Sequence, residues 1–217
     1  LPPKKQRVAE VLKRLEPLYA SLTTGLNFNS PFELTVATIL SAQCTDERVN
    51  KVTPTLFARY HSPHEFVEAD PEEIESLVHS CGFFRNKTKS IQGMSSGLLD
   101  RFEGQVPQTM RDLLTLPGVA RKTANVVLSH AFGVNEGIAV DTHVQRVSRR
   151  LGLTKERDPA KIERDLMRLV PRESWGRMSD LLIWHGRKVC VARSPRCTVC
   201  VLADICPVGR RSIPSTT

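Results

Sequence analysis

Two residues in this chain are spaced for chemistry: Lys122, within the run LPGVARKTANVV from Leu116 to Val127, and Asp141, nineteen residues later in AVDTHVQRVSRR. Leu116-Pro117-Gly118-Val119 closes an apolar segment with a Pro-Gly turn, and an apolar-spaced run opens at once behind it. The pattern predicts two helices joined by a very short hairpin. Such a hairpin turns unpaired backbone N–H groups and the positive end of the second helix outward, where a phosphate can bind. Gly118 lets the backbone come close to that anion, with Ala120 and Arg121 beside it and Lys122 just inside the second helix. An amine, a carboxylate and a phosphate cradle point to an enzyme acting on nucleic acid.

A second constellation lies near the end of the chain. Cys190, six residues, Cys197, two residues, Cys200, five residues and Cys206 place four thiols in a short stretch, at ligand-like spacing. Three disulfides from six cysteines do not fit this crowding, and iron-sulfur or zinc are the candidates. Zinc usually takes two Cys-x-x-Cys knuckles, and only Cys197 and Cys200 have that spacing. Arg187, Lys188, Arg193 and Arg196 surround the first two cysteines, so a folded loop here would offer cations to phosphates. Cys44 and Cys81 are left over and are expected as buried free thiols.

Capping signals define the elements that position these residues. Val8, Val11, Leu12, Leu15, Leu18 and Tyr19 recur at helical spacing over Lys5 to Ala20. Ser30-Pro31-Phe32-Glu33 reads as an N-cap, a first-turn proline and a reciprocal capping glutamate, opening a helix to about Ala42. Ser62-Pro63-His64-Glu65 and Asp70-Pro71-Glu72-Glu73 repeat that start, and Pro54 is expected to break or kink the helix between. Further helical patterns cover Asn86 to Phe102, Met110 to Leu116, Thr142 to Leu151, Pro159 to Val170 behind Asp158, and Trp175 to Lys188. Ile138 to Val144 alternates briefly and is read as an irregular lead into the next helix. The fold class is all-α, with no repeat and no long linker.

Bulk properties set the outer limits. The 217 residues hold 40% hydrophobic side chains, enough for a real core, and no apolar run approaches the ~18 to 20 residues of a spanning helix. A membrane role and a secretory leader are therefore not expected. The chain opens on Leu1 without a methionine, which allows a removed upstream segment. A net charge of +8 and a pI near 9.4 favour a polyanionic partner.

Together LPGVARKTANVV, VDTHVQRVSRR, SAQCTD at Ser41 to Asp46 and the four-cysteine tail resemble the endonuclease III family of DNA glycosylases, over nearly the whole chain. One departure is Ala120, where the family usually has glycine. The resemblance implies a helix-hairpin-helix glycosylase fold of two helical lobes, residues 27–135 and residues 1–26 with 136–217, the hairpin and Asp141 facing the cleft between them. It implies a [4Fe-4S] cluster on Cys190, Cys197, Cys200 and Cys206, and a monomer acting on duplex DNA with oxidised pyrimidines or abasic sites. A cytoplasmic, nucleoid-associated bacterial protein follows.

In that family the lysine at the position of Lys122 attacks the sugar C1′ as a free amine, displaces the damaged base as a Schiff base, and β-elimination then breaks the strand. A helix N-terminus and a site closed over DNA both disfavour the ammonium form. Asp141 would steady the positive charge on the sugar, or only cap the following helix. Resemblance assigns Gln43 to the space left by the flipped nucleotide and Phe83, in the loop Gly82 to Lys87, to a wedge against the orphaned base. Taken alone, Phe83 reads as a core aromatic and Gln43 as a polar residue at a helix end. His143 lacks a second ligand at i+4, so a metal role is not expected. Two other functions remain: an adenine-mispair glycosylase, whose branch normally lacks the lysine, and a non-catalytic module that only grips phosphates.

Overall fold

Each start signal noted above opens a helix in the structure, a computed structural model that describes residues 1–212. In chain order the helices begin with α1 (Lys4–Tyr19), α2 (Pro31–Leu40), α3 (Asp46–Arg59), α4 (Pro63–Glu68), α5 (Pro71–Val78) and α6 (Phe84–Phe102). They continue with α7 (Met110–Leu113), α8 (Arg121–Phe132), α9 (Thr142–Arg150), α10 (Pro159–Met167), α11 (Trp175–Lys188) and α12 (Pro207–Ser212). Short 3-10 turns fill parts of the connections, and no strand occurs among the described residues. Ser30, Ser62, Asp70 and Asp158 each accept a first-turn backbone N–H, and each is followed by a proline whose missing N–H costs nothing there.

Two expectations change in detail. The Glu33 carboxylate accepts from the backbone N–H of Asn29 at 2.7 Å and from its side chain, one residue before the reciprocal partner expected. Pro54 does not break its helix: α3 runs through it. Pro54 itself lies exposed on the outer face of α3.

The chain divides into two compact units, residues 24–134 and residues 1–23 with 135–217. In the first, α2 is the central helix, with eight of its ten residues buried, as an element apolar all round must be. Its buried Thr35 and Thr38 donate their hydroxyls to the carbonyls of Pro31 and Leu34 at 2.8 and 2.7 Å, so neither is left unpaired. Leu34, Leu40, Phe66, Ile91, Met94 and Leu128 complete a core in which each fully buried side chain contributes about 1.5–3 kcal/mol. In the second unit α9 lies against α11, and Val11, Leu15, Val144, Val147, Leu181 and Leu182 form its core. Ile138 and Val140 of the irregular lead are buried in the same core.

Candidate active site and cluster loop

The hairpin between α7 and α8 is built by a helix that lies elsewhere in the sequence. Along α6, Ser90, Gly93 and Gly97 run opposite Gly118, Pro117 and Leu116 respectively. A Cβ added to Gly93 would stand 3.1 Å from Pro117, and one on Gly97 would stand 3.0 Å from Leu116. A Cβ on Gly118 would stand only 2.5 Å from that of Ser90, and Gly118 has φ +74°. Glycine at 118 is thus demanded by backbone and packing at once, independently of any phosphate.

Leu116 and Val119 are buried and anchor the turn, which the bond from the Val119 N–H to the Leu116 carbonyl closes at 3.2 Å. Pro117, Gly118, Ala120, Arg121 and Lys122 stay exposed. Ala120 is the N-cap of α8 with φ −84°, an extended conformation open to any residue, so the backbone there does not require glycine. It offers no side-chain cap, and the first turn of α8 holds no acidic residue. No capping side chain and no first-turn carboxylate therefore competes with an anion at the N-terminus of α8.

Asp141 is the N-cap of α9. Its Oδ1 accepts the backbone N–H groups of His143 and Val144, each at 2.8 Å, so the half-buried carboxylate is held by two bonds. His143 is occupied too: its Nδ1 lies 3.0 Å from Arg146 Nη2, a group that can only donate. Burial pushes the His143 imidazole down, against the pull of the Asp141 carboxylate.

Gln43 and Phe83 share an unusual backbone. They are two of four described non-glycine residues with positive φ, at +53° and +48°, a region that costs an ordinary residue about 1–2 kcal/mol. Both side chains are exposed, Phe83 by 62%, so Phe83 is no core aromatic. The turn before it is fixed by Lys87, whose buried ammonium donates to the Cys81 carbonyl at 2.8 Å. Burial lowers the Lys87 pKa. Cys44 and Cys81 are both free thiols, but only Cys81 is buried, and Cys44 is half-exposed at the end of the turn.

Cys190, Cys197, Cys200 and Cys206 line a single cavity, shared with apolar side chains such as Val147, Leu151 and Leu202 and with Arg150, His185 and Arg196. Among the described residues no three His, Cys, Asp or Glu side chains converge as ligands of one metal ion. Four thiols around one cavity, with a single Cys-x-x-Cys pair among them, fit a multi-iron cluster better than a zinc site of two knuckles. Burial pushes the Cys200 thiol up to about 11 and raises Cys206 as well.

Sequence spacing missed what holds this loop. Arg150 of α9 donates to the carbonyls of Cys190, Val191 and Ala192 and lies 3.3 Å from Cys190 Sγ. Arg146 donates to the carbonyls of Cys190 and Gly186. Their position three and seven residues after His143 signals one helix face, but only the fold reveals the partner. Arg193 and Arg196 lie exposed on the loop, as a contact with phosphates requires.

Comparison with known proteins agrees with this geometry. Residues 36–172 match the HhH-GPD superfamily base excision DNA repair proteins, and residues 190–206, Cys190 through Cys206, match the iron-sulfur binding domain of endonuclease III. Endonuclease III of Synechocystis sp. is 58% identical over 209 residues, covering 96% of this chain and 95% of that protein. Endonuclease III of Escherichia coli K12 is 41% identical, covering 93% and 95%. A solved structure of a trapped endonuclease III–DNA covalent intermediate superposes with a TM-score of 0.90 at 42% identity, covering 96% of this chain and 98% of that one. With the hairpin, the capped aspartate and the four-thiol cavity, these matches show that the chain belongs to the endonuclease III family of iron-sulfur base excision repair enzymes, DNA glycosylases with abasic-site lyase activity.

Proposed function

We propose that the chain excises oxidised pyrimidines from duplex DNA through a Schiff base on Lys122, and then cleaves the resulting abasic site. The observation that carries this reading is Lys122 itself, exposed in the first turn of α8 behind an N-cap without a capping side chain. A phosphate held at that helix N-terminus brings the neighbouring sugar within reach of the lysine amine. The Nζ–C1′ bond forms as the bond from C1′ to the base breaks, and ring opening yields the Schiff base. Loss of a C2′ proton then expels the 3′ phosphate.

Asp141 stabilises the positive charge that builds on the sugar, and its two backbone bonds keep the carboxylate still. The exposed left-handed turns at Gln43 and Phe83 suit insertion into the duplex, Gln43 into the vacated space and Phe83 against the orphaned base. A relative trapped covalently on DNA with an estranged adenine supports both the covalent step and a thymine-derived target, since adenine is the partner of thymine. Cys190, Cys197, Cys200 and Cys206 hold the cluster, and Gly118, Ala120, Arg121, Arg193 and Arg196 meet phosphates. The protein acts as a monomer at the bacterial nucleoid, in keeping with its bacterial relatives and with described helices too short or too polar to cross a membrane.

Borohydride trapping on a duplex with one oxidised thymine tests this, with wild type beside Lys122→Ala. A covalent protein–DNA band lost in the variant is expected. Base release without a band in the wild type would instead favour the monofunctional mispair branch, and binding without either would favour a non-catalytic module.

A further inference from the structure

Tyr19, the last residue of α1, and His185, in α11, form a buried chain that ends on a cysteine. The Tyr19 hydroxyl lies 3.4 Å from His185 Nδ1, and His185 Nε2 lies 3.4 Å from Cys200 Sγ. Both rings are withdrawn from water, Tyr19 at 4% exposure and His185 at 2%, and they meet edge-on with centroids 6.3 Å apart. The backbone of His185 reaches a second cysteine, because its carbonyl accepts the Cys190 N–H at 2.8 Å. One residue therefore touches two of the four thiol-bearing positions, through different atoms.

The direction of the chain follows from elementary chemistry. A thiolate bound to iron has no proton to give, so the bond at Cys200 Sγ must be donated by Nε2. A neutral imidazole carries one N–H, so Nδ1 is then an acceptor and the Tyr19 hydroxyl is its donor. The tautomer is set from the far end of the chain, as outer partners commonly orient a ligand shell. An N–H donated to a cluster sulfur withdraws electron density and favours the more electron-rich state of the cluster. A histidine that merely filled the core would require neither bond.

We propose that His185 is a positioning residue for the iron-sulfur cluster: its Nε2–H, fixed by Tyr19, holds the Cys200 thiolate and raises the reduction potential of the cluster. The proposal rests on the four cysteines being the ligands. Iron and sulfide content of the wild type separates the two ideas, since a wild type without iron overturns the ligand assignment and the tuning with it.

In loaded protein, the midpoint potential by voltammetry and the Fe–S(Cys) stretching bands by resonance Raman would be compared for wild type, Tyr19→Phe, His185→Gln and His185→Leu. A lower potential and shifted bands are expected in His185→Leu, with a smaller shift of the same sign in Tyr19→Phe. His185→Gln, whose amide places an N–H close to the Nε2 position, should recover most of the change. A potential and band pattern in His185→Leu equal to wild type would overturn the proposal. Should His185→Leu fail to hold iron, Tyr19→Phe decides, and unshifted values there would overturn it equally.

Discussion

Asp141 is an N-cap and a proposed catalytic carboxylate, and one pair of substitutions can separate the two roles. Its Oδ1 accepts two backbone N–H groups at 2.8 Å, so Asp141→Ala removes an N-cap and leaves two first-turn donors of α9 without a protein partner. Loss of such a cap costs about 1 kcal/mol, and loss of the charge beside the helix N-terminus a further ~0.3–1 kcal/mol. For a chain of this size, each kcal/mol lowers Tm by roughly 2–4 °C, so Asp141→Ala should melt about 3–8 °C below wild type. Asp141→Asn keeps an oxygen at the cap and loses only the charge, which predicts a fall of about 1–4 °C. Turnover should behave differently, because the sugar needs the charge and not the cap. Both variants should lose roughly 10²- to 10⁴-fold in single-turnover base release, with duplex affinity retained. Thermal melts and single-turnover assays on the same preparations read the two effects. An Asp141→Asn variant with wild-type turnover would refute the catalytic role, and one that melts as low as Asp141→Ala would refute the capping argument.

Gly118→Ala should destabilise by about 2–4 kcal/mol, from left-handed strain together with a Cβ 2.5 Å from that of Ser90. Adding Ser90→Gly should return the steric part and leave about 1 kcal/mol, read by urea denaturation; no rescue would show that the backbone conformation alone demands glycine. Phe83→Gly should leave stability within ~0.5 kcal/mol of wild type or raise it, because the ring is exposed and φ is +48°, while base release falls; full retention of base release would remove Phe83 as a wedge. Replacing Arg193 and Arg196 together by alanine should lower the slope of log affinity against log salt by about 2, near 0.9 for each phosphate that no longer has a cation beside it, and an unchanged slope would take both arginines off the DNA.

What the sequence made legible is what depends on near neighbours. A cap needs only the residue and the two or three that follow, so Ser30, Ser62, Asp70 and Asp158 marked their helices without knowledge of the rest of the fold. Pro54 marked an expected break that α3 does not show, because whether a helix continues through a proline depends on the packing of its flanking turns, and those contacts come from far along the chain. Phe83 alone read as a core residue because an aromatic usually is one, and its exposure follows from Gly82 and the left-handed turn that lift it off the core. The stripe of Ser90, Gly93 and Gly97 went unread for a similar reason. Small residues inside a helix resemble weak helix formers until the hairpin they accommodate is known.

The residues least legible from spacing are those that tie the second unit together. The loop that carries Cys190 to Cys206 contains only short 3-10 turns and irregular backbone, so it cannot hold its own shape through helical hydrogen bonds. Arg146 and Arg150 supply what it lacks, since their guanidinium groups bind a run of its carbonyls from the last two turns of α9. The first turn of that same helix is capped by Asp141. One nine-residue element therefore has the proposed catalytic carboxylate as its N-cap and the grip on the cysteine loop towards its other end. With so short a helix, an N-cap fixed by two bonds and a C-terminal half clamped by two arginines leave little freedom to fray. The rigidity of the carboxylate, on which the proposed stabilisation of a sugar cation depends, is in this way a property of the loop as well as of the cap.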